Sequence, residues 1–410
     1  MLRHRFEPRP GWQTTIAEEG LTYDLDSPAD TEHYWNETHA YLFTEKQIAS
    51  IAKQCEELYW MCLEASSRIL DRRYGDPGVP EEAIDFAKAS YDAGDIHLYS
   101  RFDVIYNPEE DQIKLLEYNS DTPTAVVESA VCQQSWIADK PGLRDTGQLG
   151  SMLVDKFRQI LDQSDSPQLH LAHVDDELDE LAEDRMNVAV LAHAARLAGW
   201  HVKVIPLSEI FWDEDKGLWL DGSDDQITNL YKLYPWEDLV TDNDSGYDRL
   251  LFDHGRDIQW INPAWTMGSS TKLLLPALWD AFPSHPSLLP ARVDDPGEMT
   301  DWVKKPFFGR EGDGITVNAP TFGVTADTNR PDDSGFNVFE DLGRYAFQQY
   351  CPPFAFEGED HRINLPVIGC WMVGSAFAGL AIRESSRIIT DDQARFVPAA
   401  IMEEGYLDRL

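Results

Sequence analysis

A strand, a helix and a second strand follow one another between residues 168 and 207, and this order leaves few folds open. QLHLAHV (168–174) and HVKVIPL (201–207) alternate as strands do, and ELDELAEDRMNVAVLAHAARLAGW (177–200) has the period of a helix ending near Gly199. Two strands joined through a helix form a βαβ unit with parallel strands and a right-handed crossover. The sequence therefore predicts an α/β lobe with a parallel sheet. Since no G-x-G-x-x-G begins the helix, a dinucleotide site is not expected.

The rest of the chain follows other patterns. Residues 44–70 place apolar side chains at helical spacing, and Thr44 and Gln47 have the spacing of a capping box, so they predict one long scaffold helix. A further helix is predicted over 122–139, beginning through Pro123. The final third, residues 299–410, alternates like an antiparallel sheet in DWVKKPFF, FQQYCP, IGCWMVGSAFAGLAIRE and RIITDDQARFVP. With 410 residues, of which 42% are hydrophobic, the chain is long enough for two or three lobes.

The formal net charge is −39. Such a charge repels phosphates, so a nucleic-acid partner and an anionic membrane are not expected. Two explanations stay open: solvation in a salty cytoplasm, where repulsion is screened, and attraction of a polycationic substrate. The basic residues are 12 Lys and 22 Arg, and the acidic residues are spread along the chain, which favours the first explanation.

The apolar segments and the cysteines bear on the cellular compartment. No long uninterrupted apolar stretch occurs, and MLRHRFEPRPGW lacks the apolar centre of a signal peptide, so we expect a cytoplasmic protein. Five scattered cysteines without C-x-x-C spacing predict reduced, buried thiols rather than disulfides or a zinc site. The eleven histidines show no H-E-x-x-H spacing, which also argues against zinc chemistry.

RFDVIYNPEEDQIKLLEYNSD (101–121) predicts a β-hairpin with a long connection. The predicted register contains four opposed pairs: Tyr106 with Lys114, Val104 with Leu116, Asp103 with Glu117, and Arg101 with Asn119. One face is then apolar, with Phe102, Val104, Leu116 and Tyr118, and the other is polar. Opposed like charges cost roughly 0.2 to 1 kcal/mol, so the pair Asp103 and Glu117 needs an explanation.

A divalent cation between the two carboxylates supplies one. Asp103, Glu117 and Asn119 form an all-oxygen set of the kind that magnesium prefers when substrate phosphates complete its ligands. Arg101 on the same face could bind a phosphate oxygen through its planar guanidinium. A solvent-facing edge hairpin, with a register displaced by one residue, is the alternative that the spacing leaves open.

Four further segments are candidates for phosphate or nucleotide contacts. In VKKPFFGREGDGI, Lys305 precedes a glycine-rich loop, residues 309–314, whose main-chain N–H groups could surround phosphate oxygens. Lys272 is the only lysine between Lys232 and Lys304. AFQQYCPP could place main-chain groups against an adenine edge, and Arg383 ends an apolar strand where a guanidinium needs a partner. A ligand-free turn, a surface lysine, an ordinary strand end and a structural salt bridge are the respective alternatives.

Long segments, in order along the chain, resemble the synthetase domain of bacterial glutathionylspermidine synthase and its shorter standalone relatives, the acid–amine ligases. These segments are YSRFDVIYN, LLEYNSDTPT, LYPWE, NPAWT, STKLLLPALWDAFPSHPSLLPA, KKPFFGREG, IGCWMVGSAFAGLAIRE and RIITDDQARFVP. The resemblance covers residues 10–405. It implies an α/β chain with the ATP-grasp fold and a Rossmann-like pre-ATP-grasp lobe. It also implies a reaction in which ATP and two magnesium ions activate a carboxylate as an acyl phosphate, which an amine then attacks.

The resemblance assigns roles by motif. Asp103, Glu117 and Asn119 correspond to the magnesium ligands, and Arg101 and Arg383 to catalytic residues that stabilise the transferred phosphoryl group. The nucleotide contacts it implies are Arg101, Phe102, Asp103, Lys272, Lys305, Gly309, Arg310, Glu311, Gly312, Gln348, Gln349 and Ile388. Thr122 and Thr124 correspond to the positions that bind the thiol-peptide substrate. The implied partners are a small-molecule or peptide carboxylate and an amine, including a polyamine.

Three sub-regions are expected in one synthetase unit: scaffold helices and the metal hairpin (1–165), the pre-ATP-grasp-like lobe (166–260) and the nucleotide and lid region (261–410). The family's Ser-Ala-Ser-Cys run is replaced here by Thr122-Pro123-Thr124-Ala125, so both substrates stay open. Two other functions also stay open. One is a retired ligase that binds nucleotide as a partner or sensor, and the other is a phosphotransferase that stops at a phosphorylated product.

Overall fold

The computed structural model describes residues 1–23, 33–175, 182–241, 247–310, 312–328, 343–358, 361–391 and 393–407. Its helices are α1 (Trp12–Glu18), α2 (Glu45–Leu70), α3 (Glu81–Ala93), α4 (Gln133–Ala138), α5 (Leu149–Leu161), α6 (Glu183–Ala198), α7 (Trp236–Thr241), α8 (Tyr247–His254), α9 (Met267–Ser270) and α10 (Leu274–Ala281). Across these ranges, every helix is too short or too polar to cross a lipid bilayer.

The strands fall into five sheets. In the first half of the chain they are β1 (Leu2–Arg5), β2 (His39–Phe43), β3 (Tyr99–Asn107), β4 (Gln112–Asn119), β5 (Leu143–Asp145), β6 (Gln168–His173), β7 (His201–Pro206), β8 (Phe211–Asp213) and β9 (Leu218–Leu220). The others are β10 (Asn229–Lys232), β11 (Gln259–Ile261), β12 (Ala291–Val293), β13 (Trp302–Pro306), β14 (Thr316–Ala319), β15 (Val324–Asp327), β16 (Tyr345–Gln349), β17 (Phe356–Glu357), β18 (Ile363–Val373), β19 (Ala376–Ser385), β20 (Arg395–Val397) and β21 (Ala399–Met402).

The long scaffold helix is confirmed as α2. Thr44 accepts a hydrogen bond from the Gln47 main-chain N–H, and the Gln47 side chain accepts one from the Thr44 N–H, so the predicted capping box is present. The apolar positions of the predicted stripe are all buried. The helix predicted over 122–139 begins at Val126, and its first turns are a π-helix, Glu128–Cys132, followed by α4.

The predicted βαβ unit is confirmed by the parallel sheet, whose strand order is β11-β10-β6-β7. Gln168 to His173 pair in parallel with His201 to Pro206, and α6 connects the two strands. The described part of that helix starts at Glu183, while residues 177–181 of the predicted helix lie outside the described ranges.

The predicted hairpin forms two neighbouring strands, β3 and β4, of a six-stranded sheet. The strand order is β20-β19-β18-β3-β4, with β17 paired to β18. Strands from residues 99–119 and 363–397 therefore lie side by side, and β3 is buried between β18 and β4. The alternative of a solvent-facing edge hairpin is wrong for β3, because all its residues but the last are buried.

The predicted hairpin register is half correct. Asp103 lies opposite Glu117 and Arg101 opposite Asn119, as the alternation requires. A β-bulge then shifts the pairing, so Val104 lies opposite Leu115 and Tyr106 opposite Ile113; the predicted partners, Leu116 and Lys114, are wrong. The bulge inserts Leu116 as an extra residue, which gives the core position to Leu115.

The final third is antiparallel as predicted, but its strands belong to different sheets. A five-stranded sheet has the order β12-β16-β13-β14-β15, whereas β18 to β20 join the six-stranded sheet. Among the described residues of RIITDDQARFVP, those in a strand are Arg395–Val397. After it, β21 pairs in parallel with β2, in a sheet of order β1-β2-β21-β5. One apolar core, which includes α2 and α10, lies between the six-stranded and five-stranded sheets.

Candidate active site

A cavity of about 360 Å³ opens where the six-stranded sheet, the five-stranded sheet and one end of the parallel sheet meet. Its volume is within the range of small-molecule sites. The candidate residues from the sequence that line it are Arg101, Asp103, Glu117, Asn119, Thr122, Thr124, Lys272, Lys305, Gly309, Arg310, Gly312, Gln348, Gln349, Arg383 and Ile388. Segments that are far apart in the sequence therefore meet at one place.

Asp103 is bound by two arginines. The Arg101 guanidinium donates from Nε to Oδ1 at 2.7 Å and from Nη2 to Oδ2 at 3.1 Å, and Arg383 Nη2 donates to Oδ2 at 2.9 Å. Burial alone would raise the pKa of Asp103, but the positive charges of Arg101 and Arg383 hold it below the ordinary value. Asp103 is therefore a carboxylate, and it orients both guanidiniums at the cavity.

The strand next to β3 makes room for Arg101. Gly369 on β18 lies opposite Asp103, and a Cβ atom at Gly369 would be 2.8 Å from Cδ of Arg101. The guanidinium lies over the ring of Trp371, 5.7 Å from the centroid, and its Nη1 donates to the Thr124 carbonyl at 2.7 Å. Burial would lower the pKa of Arg101, but the Asp103 carboxylate raises it, so the group stays charged. Arg101 thus connects the hairpin to the loop that holds Thr124.

Glu117, which lies opposite Asp103, is paired with Lys272. Lys272 Nζ donates to Glu117 Oε1 at 2.9 Å and to the Gly309 carbonyl at 3.2 Å. Lys272 is at the start of the α10 region, and its main-chain N–H donates to Phe307 O at 2.7 Å. This bond fixes Lys272 to the end of the five-stranded sheet, next to the glycine-rich loop.

The donor set on the hairpin is compatible with magnesium. Asp103, Glu117 and Asn119 offer only oxygen ligands among their acceptors, and all three line the cavity. Glu117 Oε2 and the Asn119 side chain accept no hydrogen bond from the residues the structure describes, so they are available as ligands. No group of three or more His, Cys, Asp or Glu side chains is placed for a metal within the described ranges, so the site would depend on phosphate oxygens to complete it.

Lys305 is held by the bulged strand. Its Nζ donates to the Leu116 carbonyl at 2.7 Å and to Gln348 Oε1 at 2.9 Å, while Gln348 Nε2 donates to the Leu115 carbonyl at 2.9 Å. Burial lowers the pKa of Lys305 to about 8, although the Glu117 carboxylate acts in the opposite direction. The Gln348 amide is therefore bonded to both Lys305 and the Leu115 carbonyl, and its side chain supports Lys305 at the wall of the cavity.

The glycine-rich loop reaches across the cavity. Arg310 Nη2 donates to Asp238 Oδ2 at 2.9 Å and to Glu237 Oε1 at 3.4 Å on α7. Gly312 has a φ of +76°, and a Cβ atom there would lie 2.7 Å from the Thr390 carbonyl, so the loop packs against the segment that follows Ile388. Glu311 lies outside the described residues.

Phe102 is the one described candidate that does not line the cavity. Its side chain points to the opposite face of the sheet, is fully buried and stacks on Tyr118, with ring centroids 4.2 Å apart. A nucleotide contact by this residue would therefore have to come from its main chain.

The opposite end of the cavity is acidic, and the sequence reasoning did not single out its residues. They are Asp121, Glu183, Asp184 and Glu237. Asp121 is buried and pairs with Lys232 at 3.0 Å; burial raises the pKa of Asp121 although Lys232 opposes this. Val174 and Leu233, directly after β6 and β10, line the same end. The signal was available, because ligands of parallel sheets bind at the carboxyl ends of the strands.

The chain matches the sequence model of a family, described as glutathionylspermidine synthase preATP-grasp, over residues 3–402. This chain belongs to that family. The resemblance predicted from the sequence is thereby confirmed, and the glutathionylspermidine synthase family is one of ligases, so the chain is an enzyme of the ligase class.

Relatives of known name agree with this membership. A Haemophilus influenzae protein named as an acid–amine ligase is 32% identical over 400 residues, which cover 96% of this chain and 97% of that protein. The trypanothione synthetase of Crithidia fasciculata is 26% identical over 84% of this chain, but the match spans 54% of the relative. Among solved structures, a glutathione synthetase-like effector of Globodera pallida has a TM-score of 0.61 at 10% identity, with 95% of both chains covered. The predicted fold class, mixed α/β of the ATP-grasp type, is confirmed.

Proposed function

We propose that this chain uses ATP and magnesium to join a carboxylate to an amine through an acyl phosphate. The observation that supports this most is the meeting, in one cavity, of the hairpin oxygens with three separate cations: Asp103, Glu117 and Asn119 with Lys272, Lys305 and Arg383. Oxygen ligands and fixed cations are what a triphosphate and its metal require. When bound, magnesium would neutralise charge on the phosphate oxygens that are being transferred.

The cations in the cavity have distinct positions, from which we assign roles. Lys305 and Lys272 lie at the ends of the five-stranded sheet and α10, beside Gly309, and would bind phosphate oxygens together with Arg310 and Gly312. Arg101 and Arg383 converge on Asp103 and would stabilise negative charge that develops on the phosphoryl group. Gln349 and Ile388 line the cavity near β16, where we expect the adenine.

The carboxylate and the amine would bind beyond Arg101. Thr122 and Thr124 line the cavity between Arg101 and the acidic end, so we place the carboxylate substrate there. An amine reaches the protein as an ammonium, which Glu183, Asp184 and Glu237 would attract. More than one acidic residue at this end favours an amine with more than one positive charge, such as a polyamine.

The test is ADP release by the full chain with magnesium and ATP, screened over peptides and amino acids against polyamines and other amines. We expect ADP only when a carboxylate is present, and a hydroxamate when hydroxylamine replaces the amine, because an acyl phosphate reacts with it. Asp103→Ala should abolish metal-dependent ADP release, and circular dichroism checks that the variant is folded. Nucleotide binding without ADP release under any pairing would instead indicate a retired ligase, and ADP release without hydroxamate would indicate a phosphotransferase.

A further inference from the structure

Asp103 and Glu117, the two carboxylates of the hairpin that line the cavity, are paired with cations that we assign to phosphate. Asp103 accepts three hydrogen bonds from Arg101 and Arg383, and Glu117 accepts one from Lys272 at 2.9 Å. The side chains are well shielded: Asp103 is 6% exposed and Lys272 is 7% exposed. Both carboxylates are therefore neutralised by ion pairs within the protein.

Separating Asp103 from Arg383, or Glu117 from Lys272, costs free energy. A buried charge whose partner is removed is strongly destabilised, because the interior does not replace the lost partner with water. A free triphosphate that drew Arg383 and Lys272 to its oxygens would leave Glu117 without its lysine and Asp103 with Arg101 alone, and both carboxylates would face more negative charge. A metal ion alone would meet carboxylates that are already paired and would be repelled by the adjacent cations. Both ligands together remove the mismatch, since each released carboxylate gains the metal and each released cation gains a phosphate.

We propose that Asp103 and Glu117 determine the selectivity of the cavity for the metal complex of the nucleotide over the free nucleotide. They do so by holding Arg383 and Lys272 until a divalent cation replaces these partners. This inference rests on the proposed function, because it takes the cavity to be a nucleotide site. In addition to binding the metal, the two carboxylates would oppose the binding of metal-free ATP. A metal ligand does not need this second property.

A substitution in a binding site usually weakens binding, but here we expect the opposite for the metal-free nucleotide. Removing the charge of Asp103 or Glu117 frees Arg383 or Lys272 for phosphate, so the affinity for the metal-free nucleotide should rise. A coupling of this kind between two ligands typically changes affinity by about 5- to 150-fold. Without metal, we expect each variant to bind the nucleotide about tenfold more tightly than wild type does. Magnesium should then raise the affinity of each variant much less than it raises the affinity of wild type.

The experiment is calorimetric titration of the full chain with the non-hydrolysable analogue AMP-PNP, once in EDTA and once in excess MgCl₂. The variants are Asp103→Asn and Glu117→Gln. Glu117, whose side chain is 31% exposed, keeps the test available if the more buried Asp103→Asn variant does not fold. The control is Glu109→Gln, which removes the same charge from the exposed turn of the same hairpin and should change neither dissociation constant.

The expected result is that wild type binds the analogue at least about tenfold more tightly with magnesium than in EDTA, and that the two variants bind it more tightly than wild type in EDTA. Unchanged or weaker metal-free binding in both variants overturns the inference while leaving the nucleotide site intact. Equal wild-type affinity with and without magnesium overturns it as well. Wild type that binds no nucleotide in either condition overturns the proposed function itself.

Discussion

The ammonium group of Lys305 lies 2.7 Å from the main-chain oxygen of Leu116, the residue that the β-bulge adds to β4. The bulge leaves Leu116 without a partner opposite it on β3. The irregularity in one sheet therefore supplies the acceptor that fixes a lysine of another sheet. It is also the reason why Leu116 lines the cavity while its neighbour Leu115 is in the core.

Gln348 is expected to act through Lys305. Gln348→Met removes one of the two acceptors of Lys305 and leaves the Leu115 carbonyl without its donor, which should lower the free energy of unfolding by about 2 kcal/mol. It should also weaken AMP-PNP binding by about tenfold, because Lys305 loses its position. Urea denaturation and calorimetry measure the two effects. Gln349→Met is the matched control for stability, and equal stability of the two variants would contradict the role of Gln348.

Glu384 is expected to be essential for stability. This fully buried carboxylate accepts hydrogen bonds from Arg3 at 2.7 Å, Tyr41 at 2.6 Å and Arg395 at 2.8 Å, which connect β19 to β1, β2 and β20. Glu384→Gln removes the carboxylate charge that Arg3 and Arg395 share and should lower the free energy of unfolding by about 3 kcal/mol. Chemical denaturation measures it. The control Asp139→Asn, at a side chain 62% exposed and 3.4 Å from Arg9, should cost less than about 1 kcal/mol.

His97 is expected to make stability depend on pH in the mildly acidic range. Its Nε2 lies 2.9 Å from the Ser120 carbonyl, and burial lowers its pKa from 6.5 to about 4. Between pH 6.5 and about 4, the unfolded chain therefore binds a proton at His97 more readily than the folded chain does. The contribution of His97 to the free energy of unfolding is thus fully present above pH 6.5 and is lost as the pH falls. Between pH 7 and 4.5 this amounts to about 2 kcal/mol.

Urea denaturation of wild type and His97→Gln at several pH values isolates this contribution from the carboxylates that titrate in the same range. Gln can donate to the Ser120 carbonyl but does not titrate. We therefore expect a shallower loss of stability on acidification in the variant. Parallel curves for the two proteins would show that His97 does not titrate as its burial requires.

Several elements followed from local pattern alone. The capping box and apolar stripe of α2, and the strand, helix and strand that form the parallel sheet, depend on side-chain period and end signals within short segments. The pairing of Asp103 with Glu117 followed from alternation over two residues of strand. The bulge did not, because Leu115 and Leu116 are both apolar and either can fill a core position. The alternation of apolar and polar residues therefore does not reveal the inserted residue.

The candidate site shows the same limit at larger scale. Sequence reasoning identified Arg383 as a guanidinium in need of a partner, but its partner, Asp103, is 280 residues earlier in the chain. The strand-end surroundings of Gln348 predict an adenine contact, but they do not reveal that its amide is bonded to Lys305 and Leu115. The acidic end of the cavity, with Glu183 and Glu237, could be recognised only when the ends of β6 and β10 were brought together.

The neighbouring positions of β3 and β18 in one sheet also determine when the site can form during synthesis. A ribosome releases Arg101 and Asp103 early, but Gly369, Trp371 and Arg383 follow only after most of the chain has left the exit tunnel. Until then the hairpin presents an unpaired strand and a carboxylate with half of its arginine partners. A nascent or truncated chain that stops before β19 would therefore have an open sheet edge prone to association and would lack a complete phosphate-binding site.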